Sequence, residues 1–169
     1  SEWFDALITE RPVVVAPGPG IYPDDSGQWR CGELGTIVVF LAEGSRPPDR
    51  CRVEIAPAEP RAEALRRLVL RFDGVRVEPA LASSGALRVD LPVSMLPPGL
   101  HRLDLALPRS VDGSPVEVLF DSIRSSCSRD DALEPATPVD HYLASFLVSG
   151  VFPGDGDLAS GFAAESRGA

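Results

Sequence analysis

The dipeptide Asp73-Gly74, set between two short runs of β-forming residues, constrains this chain more than any other feature. A two-residue type I′ turn needs positive φ at both central positions, a backbone that Asp-Gly accepts readily, and it joins antiparallel strands. Leu68 to Phe72 and Val75 to Glu78 are therefore expected to pair, with Phe72 opposite Val75 and Leu70 opposite Val77. That register gathers apolar side chains on one face and sets Arg71 directly opposite Arg76 on the other. Like charges so placed weaken a ladder. Either neighbouring acids such as Glu54, Asp90 or Asp104 offset them, or the pair meets an anionic partner.

Other segments show the same period. Cys51-Arg-Val-Glu-Ile55 alternates strictly, with Cys51, Val53 and Ile55 on one face and Arg52 and Glu54 on the other. Leu87 to Leu91 and Leu103 to Leu107 alternate likewise, Val13 to Val15 is a brief β-branched run, and Val116 to Ile123 supplies the last strand. Thr36 to Leu41 is apolar throughout, as a strand covered on both faces must be. Between Pro92 and Gly99, the residues Val93, Met95 and Leu96 suit a single helical turn capping one end. Ala16-Pro-Gly-Pro-Gly20 breaks regular structure, and Ile21 to Gly35 reads as a long loop. About eight short strands with turns between them is the spacing of a sandwich or jelly roll rather than of βαβ units.

The expected fold is thus all-β, an antiparallel β-sandwich of jelly-roll type over residues 12–124. A short helix at Glu2 to Thr9, stopped by Pro12, precedes it. Residues 125–169 are expected to form a linker, a helix over Val139 to Gly150 with Leu143, Phe146 and Leu147 on one side, and a loose Gly-rich tail.

Composition bounds the function. A chain of 169 residues, 44% hydrophobic and 24% charged, has enough apolar material for one good core. Its formal charge of −9 repels a phosphate backbone, so nucleic acid is not an expected partner. All 16 basic residues are Arg, which reflects a GC-rich coding bias more economically than a demand for guanidinium chemistry. Cys31, Cys51 and Cys127 form no pair at zinc-ligand spacing and read as reduced thiols, which points to a cytoplasmic protein. No apolar run reaches the roughly 18 residues of a membrane span, and Ser1 to Glu10 lacks a signal-peptide layout.

The chemistry-bearing residues are sparse. His101 and His141 have no Ser, Cys or carboxylate partner at a recognised nucleophile spacing, and no nucleophile elbow occurs, so no enzymatic activity is expected. No metal-ligand set or cofactor motif is evident. Pro153 to Asp157 lacks the spaced ligands of a calcium loop, and Gly18 and Gly20, between prolines, are not followed by a helix that could bind phosphate.

One segment stands apart. Gly20 to Val39 concentrates Tyr22 and Trp29 with Asp24, Asp25, Arg30 and Glu33. An aromatic face can pack on the C–H side of a pyranose while carboxylates and a guanidinium bond its hydroxyls. In the competing reading Trp29 lids the open end of the sandwich and the acids build the turn. The order Gly20, Tyr22-Pro23-Asp24-Asp25, Gly27, Trp29, Gly32 resembles the opening of an accessory β-sandwich domain found in bacterial glycosyltransferases and surface-polysaccharide proteins. The resemblance extends through the Asp73-Gly74 hairpin, Leu87 to Pro92, Leu103 to Pro108 and Ser114-Pro115, and covers residues 12–124. It departs at Arg30-Cys31, where Ser or Thr usually follows the Trp.

What the resemblance implies is a non-catalytic jelly roll similar to carbohydrate-binding modules. Such a module binds a glycan or sugar acceptor and works beside a glycosyltransferase domain in the same or a partner chain. Tyr22 and Trp29 are the expected stacking residues, with Asp24, Asp25 and Arg30 as polar contacts. The alternative is a structural interaction domain without a sugar ligand, forming homo-oligomers or docking a catalytic domain through the helix near Tyr142 and Phe146.

Overall fold

The structure, a computed structural model, describes residues 13–44, 48–127 and 132–150. The expected helix at Glu2 to Thr9, the Gly-rich tail and Pro153 to Asp157 lie outside the described residues. Two antiparallel sheets face each other across an apolar core. The first runs in the order β1 (Val13–Pro17), β4 (Leu34–Leu41), β10 (Gly99–Ala106), β6 (Val69–Phe72) and β7 (Val75–Val77). The second runs β2 (Ile21–Pro23), β3 (Trp29–Cys31), β11 (Val118–Ser126), β5 (Arg50–Pro57), β9 (Leu87–Pro92) and β8 (Ala80–Leu81), with β12 (Glu134–Pro135) added beside β11. A one-turn helix, α1 (Glu63–Arg66), follows β5, and α2 (Pro138–Ser149) closes the described chain.

The twelve strands among the described residues exceed the eight or so expected, because several are only two or three residues long. Two of these, β2 and β3, occupy the segment read as a loop between Ile21 and Gly35. The break before them has a steric cause. Gly20 adopts φ +84°, and a Cβ there would stand 2.0 Å from the Leu34 carbonyl oxygen. The chain passes too close to the start of β4 for any side chain.

The hairpin forms as its dipeptide demands, with Asp73 at φ 48° and Gly74 at φ 85°, and with Phe72 opposite Val75 and Leu70 opposite Val77. Leu70 and Phe72 are buried, whereas Val75 at the sheet edge is 68% exposed. Arg71 does oppose Arg76. An acid lies beside each: Asp104 stands across from Arg71 on β10, and Glu78 pairs with Arg76 at 2.8 Å. Glu54 and Asp90 belong to the other sheet. The hairpin is tied to its neighbour through Asp73, whose carboxylate accepts from the Arg102 backbone N–H at 2.9 Å and meets His101 Nδ1 at 2.6 Å.

Strand β4 carries apolar residues on both faces, and both are covered. Ile37, Val39 and Leu41 enter the main core with Val53, Ile55, Leu103, Leu105 and Phe120. Val38 and half-buried Phe40 point the other way, where they join Val14, Ala16, Leu143 and Ala144 beneath α2. The helix begins with a reciprocal capping box: the Thr137 hydroxyl accepts from Asp140 N–H, and the Asp140 carboxylate accepts from Thr137 N–H at 2.8 Å. It ends at Gly150 in the left-handed conformation. Between Pro92 and Gly99 only a turn forms; Val93 is buried, while Met95 is 92% exposed instead of capping the core.

The expected boundary at residue 124 falls inside β11, which continues to Ser126, and the helix beyond it packs on the sandwich. More consequentially, Cys51 and Cys127 are not reduced thiols but are joined in a disulfide. Ser126 opposes Arg52 in the β11–β5 register, so the next pair along the two chains brings these cysteines together. The bond ties the start of β5 to the end of β11 across 76 positions in sequence. Cys31 is the free thiol, fully buried, and desolvation, reinforced by the nearby Glu117 charge, pushes it up to about 12. A thiol held in that form is unreactive.

The disulfide generates a direct prediction. In the chain-entropy account, a loop of this length contributes roughly 4 kcal/mol by restricting the unfolded chain. Reduction, or the double change Cys51→Ala and Cys127→Ala, is expected to lower the urea midpoint accordingly. An equal midpoint with and without reductant is the contrary result.

Candidate functional site

The five residues expected to contact sugar are brought close together but not into equal roles. Tyr22 on β2 opposes Arg30 on β3, and Pro23 opposes Trp29. Alternation then sends Tyr22 and Arg30 outward and Trp29 inward. Trp29 is only 3% exposed, inside the main core, so its rings have no face to offer a pyranose. Tyr22 is 37% exposed, and Arg30 is open to solvent with Glu117 at 3.9 Å. An ion pair this exposed holds little.

Asp24 builds the turn that joins β2 to β3. One oxygen, Oδ1, accepts from the Ser26 hydroxyl at 2.7 Å and from the backbone N–H groups of Ser26 and Gln28, each at 2.9 Å. The Ser26 hydroxyl first, then those N–H groups, hold its carboxyl below the usual carboxylate range. Asp25 is exposed at the tip. Gln28 reaches across to Asp121 on β11 at 2.7 Å and fixes the hairpin to its neighbour.

Behind Tyr22 and Trp29 stands His141 of α2. Its ring lies edge-on to Tyr22 at 5.4 Å and to Trp29 at 6.0 Å, with Tyr142 at 5.7 Å. Nδ1 donates to the Pro17 carbonyl at 3.1 Å, so Nε2 is the unprotonated nitrogen, and it has no hydrogen-bond partner. The ring is 1% exposed, and burial holds its pKa below the ordinary histidine value. This histidine is a wedge that fastens the helix where β1 passes to β2.

The other histidine is not arranged for catalysis. His101 does lie beside a carboxylate, Asp73, but its Nε2 faces the Pro97 carbonyl at 2.8 Å rather than a hydroxyl or thiol. A cavity of about 470 Å³ opens between α1 and the β10–β11 loop, bounded by Glu63, Arg67, Pro108, Val111, Asp112 and Val116. None of the five expected residues borders it. Asp112 is lowered to about 2 by the Ser110 hydroxyl, with the Ser114 hydroxyl and N–H adding to the effect. It shapes the loop as Asp24 shapes its own.

A further polar surface is one that single-strand alternation only hinted at. On the outer face of the second sheet, Arg124 of β11 opposes Glu54 of β5, which in turn opposes Arg88 of β9. In the adjoining row Arg52 opposes Asp90, with Arg52 Nε 3.0 Å from Asp90 Oδ1. Glu54 is 5% exposed and receives Arg124 Nη2 at 2.7 Å on one oxygen and Arg88 Nη2 at 3.5 Å on the other. Arg52 and Glu54 were legible as an outward pair; that two further arginines flank the glutamate depends on the register between strands distant in sequence.

In comparisons with known proteins, no protein family, curated protein or solved structure matches this chain.

The buried histidine predicts how stability responds to acid. The unfolded ring takes a proton near pH 6.5, while the folded ring resists it to a lower pH. Stability is therefore full above about 6.5 and drains as pH falls toward the folded value, by up to about 1.4 kcal/mol per unit. Denaturation midpoints measured from pH 7.5 to 5 are expected to show this slope in the native chain and a smaller one in His141→Asn. Asn can keep the bond to Pro17 and does not titrate.

Proposed function

We propose that this domain is a non-catalytic carbohydrate-binding or acceptor-positioning module of jelly-roll type, akin to the accessory β-sandwich domains of bacterial glycosyltransferases and surface-polysaccharide proteins. The winding of the chain supports the jelly-roll part. Successive connections β4–β5, β5–β6, β7–β8, β9–β10 and β10–β11 pass between sheets, and β4-β10-β6-β7 faces β3-β11-β5-β9. A jelly roll interleaves its two four-stranded sheets in that way.

The observation that carries the glycan reading is the polar outer face of the second sheet. Helix α2 lies over β1 and β4 and makes that end of the first sheet's outside a second small core. The outer face of the second sheet presents planar polar groups, Arg52, Arg88, Asp90 and Arg124, with Tyr22 and Arg30 toward one edge. Guanidinium and carboxylate groups carried on paired strands suit the fixed hydroxyl pattern of a sugar chain. The face uses Tyr22 and Arg30 of the five expected residues and assigns Trp29 to the core beneath them. The helix offers less to a protein partner, because Leu143 and Ala144 are buried on the sandwich.

Location follows the cysteines. The expectation of a cytoplasmic protein rested on reduced thiols, whereas a lasting Cys51–Cys127 bond belongs to an oxidising compartment. The module accordingly acts outside the reducing cytosol. Among the described residues no helix is long and apolar enough to cross a membrane.

A glycan array followed by calorimetry tests the reading. The native protein is expected to bind an oligosaccharide, and Tyr22→Ala together with Arg30→Ala to weaken that binding by about tenfold while the fold survives. A native protein that binds no glycan on the array refutes it.

A further inference from the structure

We propose that the glycan recognised by the second sheet is acidic, a chain bearing carboxylates, and that Arg88 and Arg124 are the two groups that read its charge. This inference rests on the glycan reading and adds the substrate class to it. The two arginines belong to one row across the sheet, with Glu54 between them in register. Two strand gaps separate them, about 10 Å. A pyranose ring is about as wide as one such gap, so the pair matches charges carried on alternate sugars of a chain laid across the strands.

The guanidiniums have donors to offer. Glu54 engages only Nη2 of each, and Nε of each is shielded from solvent without a hydrogen-bond partner. The side chains of Arg88 and Arg124 are nonetheless 41% and 40% exposed. Their outward surface is therefore the Nη end, the part that forms paired bonds with a carboxylate. Glu54, buried beneath, fixes both heads and so reduces the ordering needed when a ligand arrives.

Charge points the same way. Arg52, Arg88 and Arg124 outnumber Glu54 and Asp90 on these two rows, leaving one net positive charge on a chain whose total is −9. Arg50 lies beyond them, 4.0 Å from Asp90. A local positive surface on an acidic molecule draws an anionic polymer toward this face.

The experiment is calorimetric titration of the intact chain with oligogalacturonate, oligomannuronate and the methyl ester of each, which keeps the sugar and removes the charge. At least one acid is expected to bind, with affinity that falls as salt rises, while its ester binds at least tenfold more weakly. Arg88→Gln and Arg124→Gln are each expected to lose about ten- to a hundredfold. Because these changes leave Glu54 less well paired, Arg124→Lys is measured with them; it keeps the charge and the fold, and is expected to lose affinity because an ammonium lacks the planar fork. Equal affinity for acid and ester, binding of neutral array glycans only, or full affinity in folded Arg88→Gln/Arg124→Gln protein overturns this inference and leaves the glycan module standing. Absence of binding to these probes and to every array glycan overturns both.

Discussion

Strand β4 sets a requirement that the rest of the molecule answers. Its run of apolar residues sends Ile37, Val39 and Leu41 into the space between the sheets and Val38 and Phe40 out the other side. A strand apolar on both faces cannot be left half in water without exposing a hydrophobic strip. Helix α2 supplies the missing layer, resting Leu143 and Ala144 on Val14, Ala16 and Val38. The segment that a reading in chain order sets aside as linker and helix is thereby part of the structural unit.

That docking covers the β1–β4 end of the first sheet and leaves the outside of the second open, where alternation along β5 and β9 sends charged residues outward. The buried Glu54 makes this face more than a scatter of charges. A carboxylate so far removed from water is destabilising unless its oxygens are met, and the two arginines meet them from either side. The same contacts hold the guanidiniums on a rigid sheet, and a structural necessity becomes a positioned pair of donors.

The aromatic segment illustrates how composition and placement diverge. Tyr22 and Trp29 are near one another in sequence and suggest a pair of sugar platforms, yet pairing of β2 with β3 points one out and the other in. Between them His141 arrives from far along the chain to wedge the helix against the sandwich. Nothing in the local sequence of His141 announces those neighbours, since they are brought in by the fold. The cysteines teach the same lesson: Cys51 and Cys127 have no recognisable spacing, and only the register of β11 on β5 makes them adjacent.

The sequence by itself determined those features that depend on neighbours along the chain. These include the antiparallel hairpin at Asp73-Gly74, the in-and-out alternation of β5, β9 and β10, the two-sided burial of β4, and a helix ending at Gly150. Each follows from backbone preferences or a side-chain period acting over a few residues, so it can be read where it is written. Tertiary structure alone decided the disulfide, the core position of Trp29, the His141 wedge and the Arg124–Glu54–Arg88 row. Those pairs are joined by hydrogen-bonded register and packing between segments tens of residues apart, and such contacts have no local signature because the chain meets itself only after it has folded.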